Sequence, residues 1–253
     1  MVPPLGHACL AFDDVESFEA AAYSFLAAGR REGKRVRYVA ERAPRGWDFE
    51  PELMSPAEHY PVDGVIDPAT GLDTWTEATE QALADGFTGL CVVADTTRLV
   101  GTPARLDAFA RYEYRVDRYM RGHPFTAMCA FDRTVVDDAV IDEMACIHPD
   151  SDAPFRLYAT TTGDAGAGLA GELDAATHER FEHALDRAEL EPADGEVVLE
   201  AGDLTFIDHN SLVHLDTYAR RRGAVLALRT PLGVAGRMAG LLGLTALRVE
   251  ITR

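Results

Sequence analysis

Two cysteines and a histidine in predicted strands carry side chains suited to metal or thiol chemistry. His7 and Cys9 lie two positions apart in the run HACLAF, and Cys129 lies in the run FTAMCA. Alternate residues of a strand point to one face of the sheet, so His7 and Cys9 share a face that Cys129 can join. Converging imidazole and thiolate groups bind zinc or a soft metal. The alternative is a core position for both cysteines, because cysteine is among the most buried residue types.

A carboxylate interrupts the apolar face of the longest predicted helix, which begins at Pro103. The apolar positions of this helix are Leu106, Phe109, Ala110, Val116 and Met120. Their spacing places Glu113 on the same face. Burying a carboxylate is costly unless it is paired or binds a ligand. Either Glu113 forms a salt bridge with Arg133 or Arg111, or it leans out at the edge of the apolar face, or it lines a pocket.

Asp208 lies between an apolar strand, LTFI, and a predicted helix. The apolar positions of that helix are Leu212, Leu215 and Ala219. An aspartate in this position caps the unpaired amide groups of a helix N-terminus, which carries a partial positive charge. Upstream, Glu172 and Asp174 are interpreted as strand-end and capping residues, since no base or nucleophile lies near them in the sequence. We therefore predict no catalytic residues.

Short apolar runs alternate with amphipathic helical stretches along the chain, which predicts βαβ units around a largely parallel sheet. Before residue 148 the predicted strands are residues 7–12, 35–40, 62–66, 90–94 and 125–130. The predicted helices are residues 15–32, 73–85, 103–121 and 135–147. The proline-rich stretch 43–61 is predicted as loop with a short helix.

The polar segment HPDSDAP, residues 148–154, predicts a domain boundary. After it, the predicted strands are residues 155–161, 169–173, 196–200, 204–207, 225–229 and 247–251, and the run GDAGAG is predicted as a turn. The predicted helices are residues 175–189, 209–221 and 232–242. The pattern predicts an α/β fold with two domains, residues 1–149 and 155–253.

The charge of the chain favours proteins or small molecules as partners. Its 253 residues include 42 acidic and 24 basic side chains, a formal net charge of -18, so nucleic acid and anionic membrane surfaces are repelled. The start, MVPPLGHACLAF, lacks the basic leader and apolar length of a signal peptide, and no later stretch is long enough to cross a bilayer. Four dispersed cysteines without a CxxC pair suit a reducing compartment. We expect a cytoplasmic protein.

The turn after the first predicted strand argues against nucleotide binding. Nucleotide-binding folds place a glycine-rich loop and a lysine there to hold phosphates. This chain has FDDVESF instead, and Asp13, Asp14 and Glu16 repel a triphosphate. We expect neither ATP binding of the P-loop kind nor any other bound cofactor.

Four runs between residues 6 and 149 resemble the MEDS domain, a sensory domain of methanogens and methylotrophs: GHACLAF, RYEYRVDRYM, HPFTAMCAFDR and CIHP. The family is a degenerate relative of RecA-like ATPases that senses small organic compounds. The resemblance implies a RecA-like three-layer domain with a parallel sheet and no P-loop. The recurrent histidine and cysteine positions of the family match His7, Cys9, Cys129 and His148. Together with Glu113, these residues are predicted to bind a small organic ligand.

The second half of the chain resembles the STAS domain, whose members include anti-sigma factor antagonists and cytoplasmic domains of sulfate transporters. The resemblance covers residues 155–253 and rests on GELD before a helix, a strand ending in FID, RRG before an apolar strand, and GLLGL. It implies a smaller α/β domain that binds an anti-sigma factor or a kinase-like switch protein. The partner-binding residues implied are Asp208, His209, Asn210 and Ser211.

The sequence departs from those STAS members that are switched by phosphorylation. In these members a serine directly after the aspartate takes the phosphate. Here His209 has that position, and Ser211 lies where the family usually has glycine. We interpret both as surface or capping residues, so control is expected to come from the N-terminal domain and not from a kinase.

Together these features predict a bacterial signal-transduction regulator without catalytic activity. Its N-terminal domain would sense a small ligand or the redox state, and its C-terminal domain would bind the anti-sigma factor or switch protein, as a monomer or a homodimer. Two alternatives stay open. One is a zinc- or thiol-dependent enzyme that uses His7, Cys9, Cys129 and His148. The other is an adaptor in which both domains bind proteins.

Overall fold

The computed structural model describes residues 6–61, 65–160 and 166–252. The chain divides into two compact units, residues 1–151 and 152–253. Each unit has its own sheet with helices packed against it, so the predicted α/β fold class is confirmed. Within these ranges, no helix combines the length and the apolar character that a membrane span requires.

The first unit is built on a parallel sheet. Its described strands are β1 (His7–Phe12), β2 (Arg35–Val39), β3 (Glu52–Met54), β4 (Leu90–Asp95) and β5 (Phe125–Asp132). Its helices are α1 (Val15–Arg31), α2 (Pro56–His59), α3 (Pro68–Ala84), α4 (Pro103–Gly122) and α5 (Asp138–Ala145), and Thr97–Val100 forms a short 3-10 helix. The strands lie in the order β1-β5-β4-β2-β3, and every pairing is parallel. The parallel sheet expected from the alternating pattern is present.

Side-chain caps determine where the long helices α1 and α4 begin. The Asp14 carboxylate accepts a hydrogen bond from the Ser17 amide at 2.7 Å at the start of α1. At the start of α4, the Thr102 hydroxyl accepts from the Arg105 amide at 3.3 Å, and Pro103 occupies the first turn, where a missing amide donor is tolerated. Because the cap and Pro103 fix where α4 begins, they also fix which of its residues face the sheet.

Helices cover both faces of the first sheet. α1 packs on one face, where Ala8 and Met128 are part of the core. α3, α4 and α5 pack against β4, β5 and β1, on the other face. In the parallel register of β1 and β5, Cys9 lies opposite Cys129. Because side chains alternate along a strand, His7, Cys9 and Cys129 point away from α1 and toward the face covered by α4 and α5.

A segment that follows α5 covers the outer edge of β1. Ala8 pairs with Asp150 in a parallel bridge. The Cys9 amide donates to the Asp150 carbonyl at 3.1 Å, and the Asp150 amide donates to the His7 carbonyl at 3.3 Å. An edge strand would otherwise present unpaired backbone groups to solvent. This cover comes directly before the end of the first unit at Ser151.

The predicted strand at residues 62–66 is wrong where it can be compared. Residues 62–64 lie outside the described residues, and Val65 and Ile66 are not in a strand. The strand of this region is β3, which pairs with β2 at the end of the sheet. Pro51 and Pro56 flank β3, and prolines are tolerated beside a short edge strand. Their presence led to the prediction of loop.

Helix α5 begins later than predicted, at Asp138 and not at residue 135. The Thr134 amide and hydroxyl both donate to the Asp132 carboxylate, at 2.8 and 2.6 Å. These hydrogen bonds hold the chain in a turn after β5, as is common for aspartate. The helix starts only after this turn.

The second unit also contains a sheet, of mixed direction. Its described strands are β6 (Phe155–Tyr158), β7 (Ala167–Leu173), β8 (Glu196–Glu200), β9 (Leu204–Ile207), β10 (Val225–Thr230) and β11 (Leu247–Ile251). Its helices are α6 (His178–Ala188), α7 (His209–Arg221) and α8 (Gly233–Leu241). The order is β11-β10-β8-β7-β6, with β9 paired to β7. β6 is antiparallel to β7, and the other pairings are parallel.

In the second unit, the structure of the run GDAGAG and the start of helix α6 differ from the predictions. The first three residues of GDAGAG, 163–165, lie outside the described residues, and its last two belong to β7 and not to a turn. Helix α6 starts at His178 and not at residue 175, because the Asp174 carboxylate accepts from the amides of Ala176 and Thr177 at 2.9 and 3.1 Å and holds a turn there. Gly171 has a φ of +88° at a bulge in β7.

Candidate functional site

Four ionisable side chains meet on the α4 face of the first sheet. They are His7, Glu113, Cys129 and His148, and all four are buried. One ligand-type atom of each lies within 4.8 Å of those of the others. Glu113 Oε2 lies 2.9 Å from His7 Nε2, 3.3 Å from Cys129 Sγ and 3.4 Å from His148 Nε2. We call these four residues the buried cluster.

The apolar face of α4 places Glu113 against the sheet. Phe109, one turn earlier, packs edge-on against Phe131 of β5, with ring centroids 6.5 Å apart. Val116, one turn later, is also buried. Glu113 lies between these apolar contacts and is only 2% exposed. Its charge must therefore be compensated by groups inside the protein.

Histidines surround this carboxylate, in contrast to the salt-bridge interpretation of the sequence. Arg111 pairs with Asp107 at 3.0 Å, and Arg133 pairs with Asp138 at 3.8 Å. The Glu113 carboxylate contacts His7 and the other members of the buried cluster. The salt bridge to Arg111 or Arg133 is therefore not the contact that compensates the Glu113 charge, and whether Glu113 binds a ligand stays a prediction.

Asp117 is a further member of the site that sequence reasoning missed. It lies one helical turn after Glu113 and is buried. Its Oδ1 is 3.2 Å from His7 Nδ1 and accepts a hydrogen bond from Arg121 at 3.0 Å. Asp117 could have been predicted from its spacing of four residues from Glu113, which puts both carboxylates on one face of α4.

His7 is charged at neutral pH because it lies between two carboxylates. Burial acts to lower its pKa, but the hydrogen bonds with Asp117 and Glu113 outweigh burial and raise the pKa to about 9. Both ring nitrogens then carry protons and donate to these carboxylates. His7 is an imidazolium held on both sides.

Glu113 and Cys129 have opposite protonation states. Burial acts to raise the pKa of Glu113, but the contacts with His148 and His7 lower it to about 2. Burial, followed by the negative charge of Glu113, raises the pKa of Cys129 well above its usual range. Cys129 is therefore a thiol, and it donates to the Glu113 carboxylate at 3.3 Å.

His148 is neutral and presents a bare nitrogen to the buried cluster. Its Nδ1 lies 2.7 Å from the Met144 carbonyl, which can only accept, so Nδ1 carries the proton. Burial and then the charge of His7 lower its pKa. The Nε2 atom therefore holds a lone pair, and among the described residues it finds no hydrogen-bond partner. Its contact with Glu113 is close but is not a hydrogen bond.

Cys9 lies beside the buried cluster and is not one of its four members. It is partly exposed and is the register partner of Cys129 on β1. Burial of its thiol, followed by the charge of Glu113, raises its pKa above the usual range. Tyr60 and Tyr112 are buried near the same charges, and burial is the main cause of their raised pKa values. The predicted ligand residues thus lie in one neighbourhood, with Cys9 at its side.

A protein-family model described as "MEDS: MEthanogen/methylotroph, DcmR Sensory domain" matches residues 6–149. The match covers more than half of the 253 residues and includes the whole buried cluster. The chain belongs to the MEDS family. Among curated proteins, no match to the chain is found.

MEDS is a family of sensory domains, so the match describes the first unit as a sensory domain and is consistent with a signalling role for the chain. We refer to residues 1–151 as the MEDS unit. The match ends at Pro149, so the resemblance of residues 155–253 to the STAS domain stays a prediction.

The second candidate surface lies at the start of α7. Asp208 is the cap of this helix, and its carboxylate accepts from the Ser211 amide at 2.8 Å. His209 and Asn210 are exposed in the first turn. The cap has the geometry expected from the sequence.

Ser211 corrects one expectation about this surface. The sequence predicts a surface or capping residue at this position, but Ser211 is fully buried. Its backbone amide is capped, and its hydroxyl finds no hydrogen-bond partner among the described residues. The apolar packing of α7 turns this position inward, since Leu212 and Leu215 are buried on the same helix. Its side chain is not part of the exposed surface.

Proposed function

We propose that this protein is a cytoplasmic signalling regulator without catalytic activity. The MEDS unit senses a small ligand or the redox state, and the second unit binds an anti-sigma factor or a related switch protein. The observation that carries the proposal is the buried cluster within a unit of a sensory family. Buried charges are costly unless compensated, so such a group of ionisable residues is typical of a functional site.

The buried cluster contains groups that respond to a ligand and groups that respond to an oxidant. Glu113 and His148 provide a charge and a free lone pair for a ligand. Cys9, which is partly exposed, lies opposite Cys129 on the same face of the sheet, and its oxidation would add a polar group beside the buried cluster. Either event would change the same network of charges.

His148 connects the buried cluster to the end of the MEDS unit. Its imidazole faces Glu113, and Asp150 two residues later is hydrogen-bonded to the edge of β1. The MEDS unit ends at Ser151. A ligand that moves His148 therefore changes the backbone that continues into the second unit, which is the route we propose for the signal.

The start of α7 is the proposed output surface. His209 and Asn210 are exposed there, beside the cap at Asp208. Phe206 and Val213, close by in the sequence, are 49% and 41% exposed. Exposed apolar side chains next to a helix N-terminus suit a protein partner. The position directly after Asp208 is a histidine, so control by the MEDS unit replaces phosphorylation in this proposal.

An enzymatic role has less support from the buried cluster. Catalytic thiols have a lowered pKa and are partly exposed, whereas burial raises the pKa of Cys129. A catalytic zinc ion keeps an open position beside three protein ligands, whereas the cluster offers four. Both features favour a sensor over a zinc- or thiol-dependent enzyme.

The output is tested by binding of the full-length protein to candidate anti-sigma factors, with Asp208→Ala as the decisive variant. Loss of a helix cap costs about 1 kcal/mol and loosens the turn that carries His209, so we expect binding to weaken about fivefold. Asp14→Ala removes the matching cap of α1 in the MEDS unit and should leave binding unchanged. Ser211→Ala should also have no effect, because the Ser211 hydroxyl is buried and no hydrogen-bond partner for it lies within the described part of the chain. Equal binding by Asp208→Ala and wild type, or binding of no anti-sigma factor, contradicts the proposal.

Sensing is tested by a thermal-shift screen of small organic compounds and oxidants. A ligand at a hundredfold excess over its Kd stabilises the folded state by about 2.7 kcal/mol. We expect this stabilisation to disappear in His148→Ala and to persist in His59→Ala, whose ring lies against Trp75 and not in the buried cluster. A screen without any stabilising compound would favour the adaptor alternative.

A further inference from the structure

We infer that the buried cluster binds one divalent metal ion of the zinc class, with His7 Nε2, a Glu113 carboxylate oxygen, Cys129 Sγ and His148 Nε2 as ligands. The ion would be the ligand, or the anchor of the ligand, at the sensory site, so this assignment rests on the proposed function. Two independent observations carry it: the spacing of the four atoms and the bare nitrogen of His148.

The four ligand atoms lie within 4.8 Å of one another, and most of their individual distances are close to those of tetrahedral coordination. Zinc bonds of about 2.0–2.3 Å place neighbouring ligand atoms roughly 3.3–3.8 Å apart. Glu113 Oε2 lies 3.3 Å from Cys129 Sγ and 3.4 Å from His148 Nε2, and Sγ lies 3.9 Å from His7 Nε2. The contact between His7 Nε2 and Oε2 is shorter, at 2.9 Å, because a proton lies between them. Small side-chain movements are enough to admit an ion.

The Nε2 atom of His148 points to a cation. It is buried, it finds no hydrogen-bond partner among the described residues, and it faces the carboxylate oxygen of Glu113. With its Nδ1 proton donated to Met144, a neutral His148 has no proton to place between Nε2 and the Glu113 oxygen 3.4 Å away. A divalent ion would bind both atoms.

The Nδ1 atoms of His7 and His148, which would not bind the ion, already have the hydrogen-bond partners that are typical of metal-binding histidines. His7 Nδ1 contacts the Asp117 carboxylate at 3.2 Å, and His148 Nδ1 donates to the Met144 carbonyl at 2.7 Å. Histidine ligands of metals almost always donate their other N–H to a carboxylate or carbonyl group, which fixes the ring. Both Nε2 atoms are thereby directed toward Glu113 and Cys129.

Metal binding at this site would depend on pH. The nitrogen and sulfur atoms that bind an ion must carry no proton, so binding releases protons from the site.

The ligand set selects the class of metal. Two imidazoles, one thiolate and one carboxylate suit zinc and similar transition metals, whereas Mg²⁺ and Ca²⁺ prefer sites made of oxygen ligands. His7 also lines a surface cleft with Gly6, Arg121 and Thr126. This cleft provides a direction from which an ion can approach the buried cluster.

The test is metal binding by the full-length protein after treatment with a chelator and a check of its fold by circular dichroism. We expect a single Zn²⁺ or Co²⁺ to stay bound per chain after dialysis. The Co²⁺ form should show a thiolate-to-cobalt charge-transfer band and visible bands of tetrahedral intensity. A folded chain that retains neither metal overturns the assignment.

Two alanine variants test the thiol ligand. Cys129→Ala should lose the charge-transfer band. Cys91→Ala is the matched control, because Cys91 is equally buried but lies on the opposite face of the sheet, against Gly29 of α1. Its band should equal that of the wild type. A Cys129→Ala variant that keeps the band also overturns the assignment.

Asp117→Asn provides a variant that keeps all four ligands. Loss of an outer carboxylate partner weakens metal binding typically by about 10–100-fold, so we expect this decrease with the shape of the Co²⁺ spectrum retained. Asp107→Asn changes an exposed carboxylate of the same helix and should leave the affinity unchanged. Equal affinity in both variants contradicts the role of Asp117. A chain that binds metal but no anti-sigma factor contradicts the proposed output alone, and the reverse result contradicts the metal site alone.

Discussion

Replacing Glu113 with glutamine should destabilise the metal-free MEDS unit by about 3–5 kcal/mol at neutral pH, the usual effect of removing one partner of a buried ion pair. The Glu113 carboxylate contacts His7, Cys129 and His148 in a space closed to solvent. Glutamine has nearly the same shape and keeps one acceptor oxygen, but it has no charge to compensate the imidazolium.

The pKa of His7 gives an independent magnitude. It rises from 6.5 to about 9 in the folded protein, and at about 1.4 kcal/mol for each pH unit this corresponds to roughly 3 kcal/mol in favour of the charged ring. Burial opposes this rise, so the whole preference comes from Asp117 and Glu113 together. When only Asp117 is left, burial dominates and His7 either loses its proton or stays charged at a cost.

Tryptophan fluorescence in a urea titration measures this change in the MEDS unit alone. Both tryptophans of the chain, Trp47 and Trp75, belong to this unit, so the second unit does not contribute to the signal. Asp107→Asn, in which a partly exposed salt bridge with Arg111 is lost, is the control and should cost at most about 1 kcal/mol. Unfolding of Glu113→Gln at the same urea concentration as the wild type or as this control would contradict the role of the Glu113 charge.

Two further changes have defined outcomes. The free energy of unfolding of the chelator-treated protein should fall by up to about 3 kcal/mol as the pH rises from 6.5 through about 9, because the unfolded chain releases the His7 proton at the lower pH. It should also fall as the pH drops from 4.5 toward about 2, where the unfolded chain takes up a proton that Glu113 resists; urea titrations across this range check both slopes, and a flat profile contradicts them. Gly171→Ala should destabilise the second unit by more than about 1 kcal/mol, because the φ of +88° suits glycine and a new Cβ would meet the Pro154 carbonyl. Gly202→Ala, which meets open space, is its control in thermal unfolding followed by circular dichroism, and equal melting of the two variants would disprove the strain.

The bounds of several elements could be predicted because local chemistry sets them. Asp14 marks the start of α1, Pro103 marks the start of α4, and the strand His7–Phe12 has the bounds expected from its apolar run. β3 could not be predicted in this way. It has three residues, too few to show a period, and it forms through pairing with β2 at a distance in the sequence.

The site was partly visible in the sequence. The approach of His7 to Cys129 follows from alternation along two strands, and the position of Glu113 follows from the spacing of the apolar residues in α4. Asp117 was not predicted, because the run RYEYRVDRYM contains several other charged residues that do not belong to the site. His148 was indicated by family resemblance alone, because a histidine after the end of a helix has no periodicity that directs it to the sheet.

The backbone pairing of Asp150 with β1 has a practical consequence for work on the MEDS unit. The family match ends at Pro149, and a recombinant fragment cut there would lose both hydrogen bonds that cover the outer side of β1. That fragment would present the backbone of the strand that carries His7 and Cys9 to other copies of itself, which is a known cause of self-association. A fragment that ends after Ser151 keeps both hydrogen bonds. Two additional residues therefore decide whether the outer edge of β1 is covered or exposed.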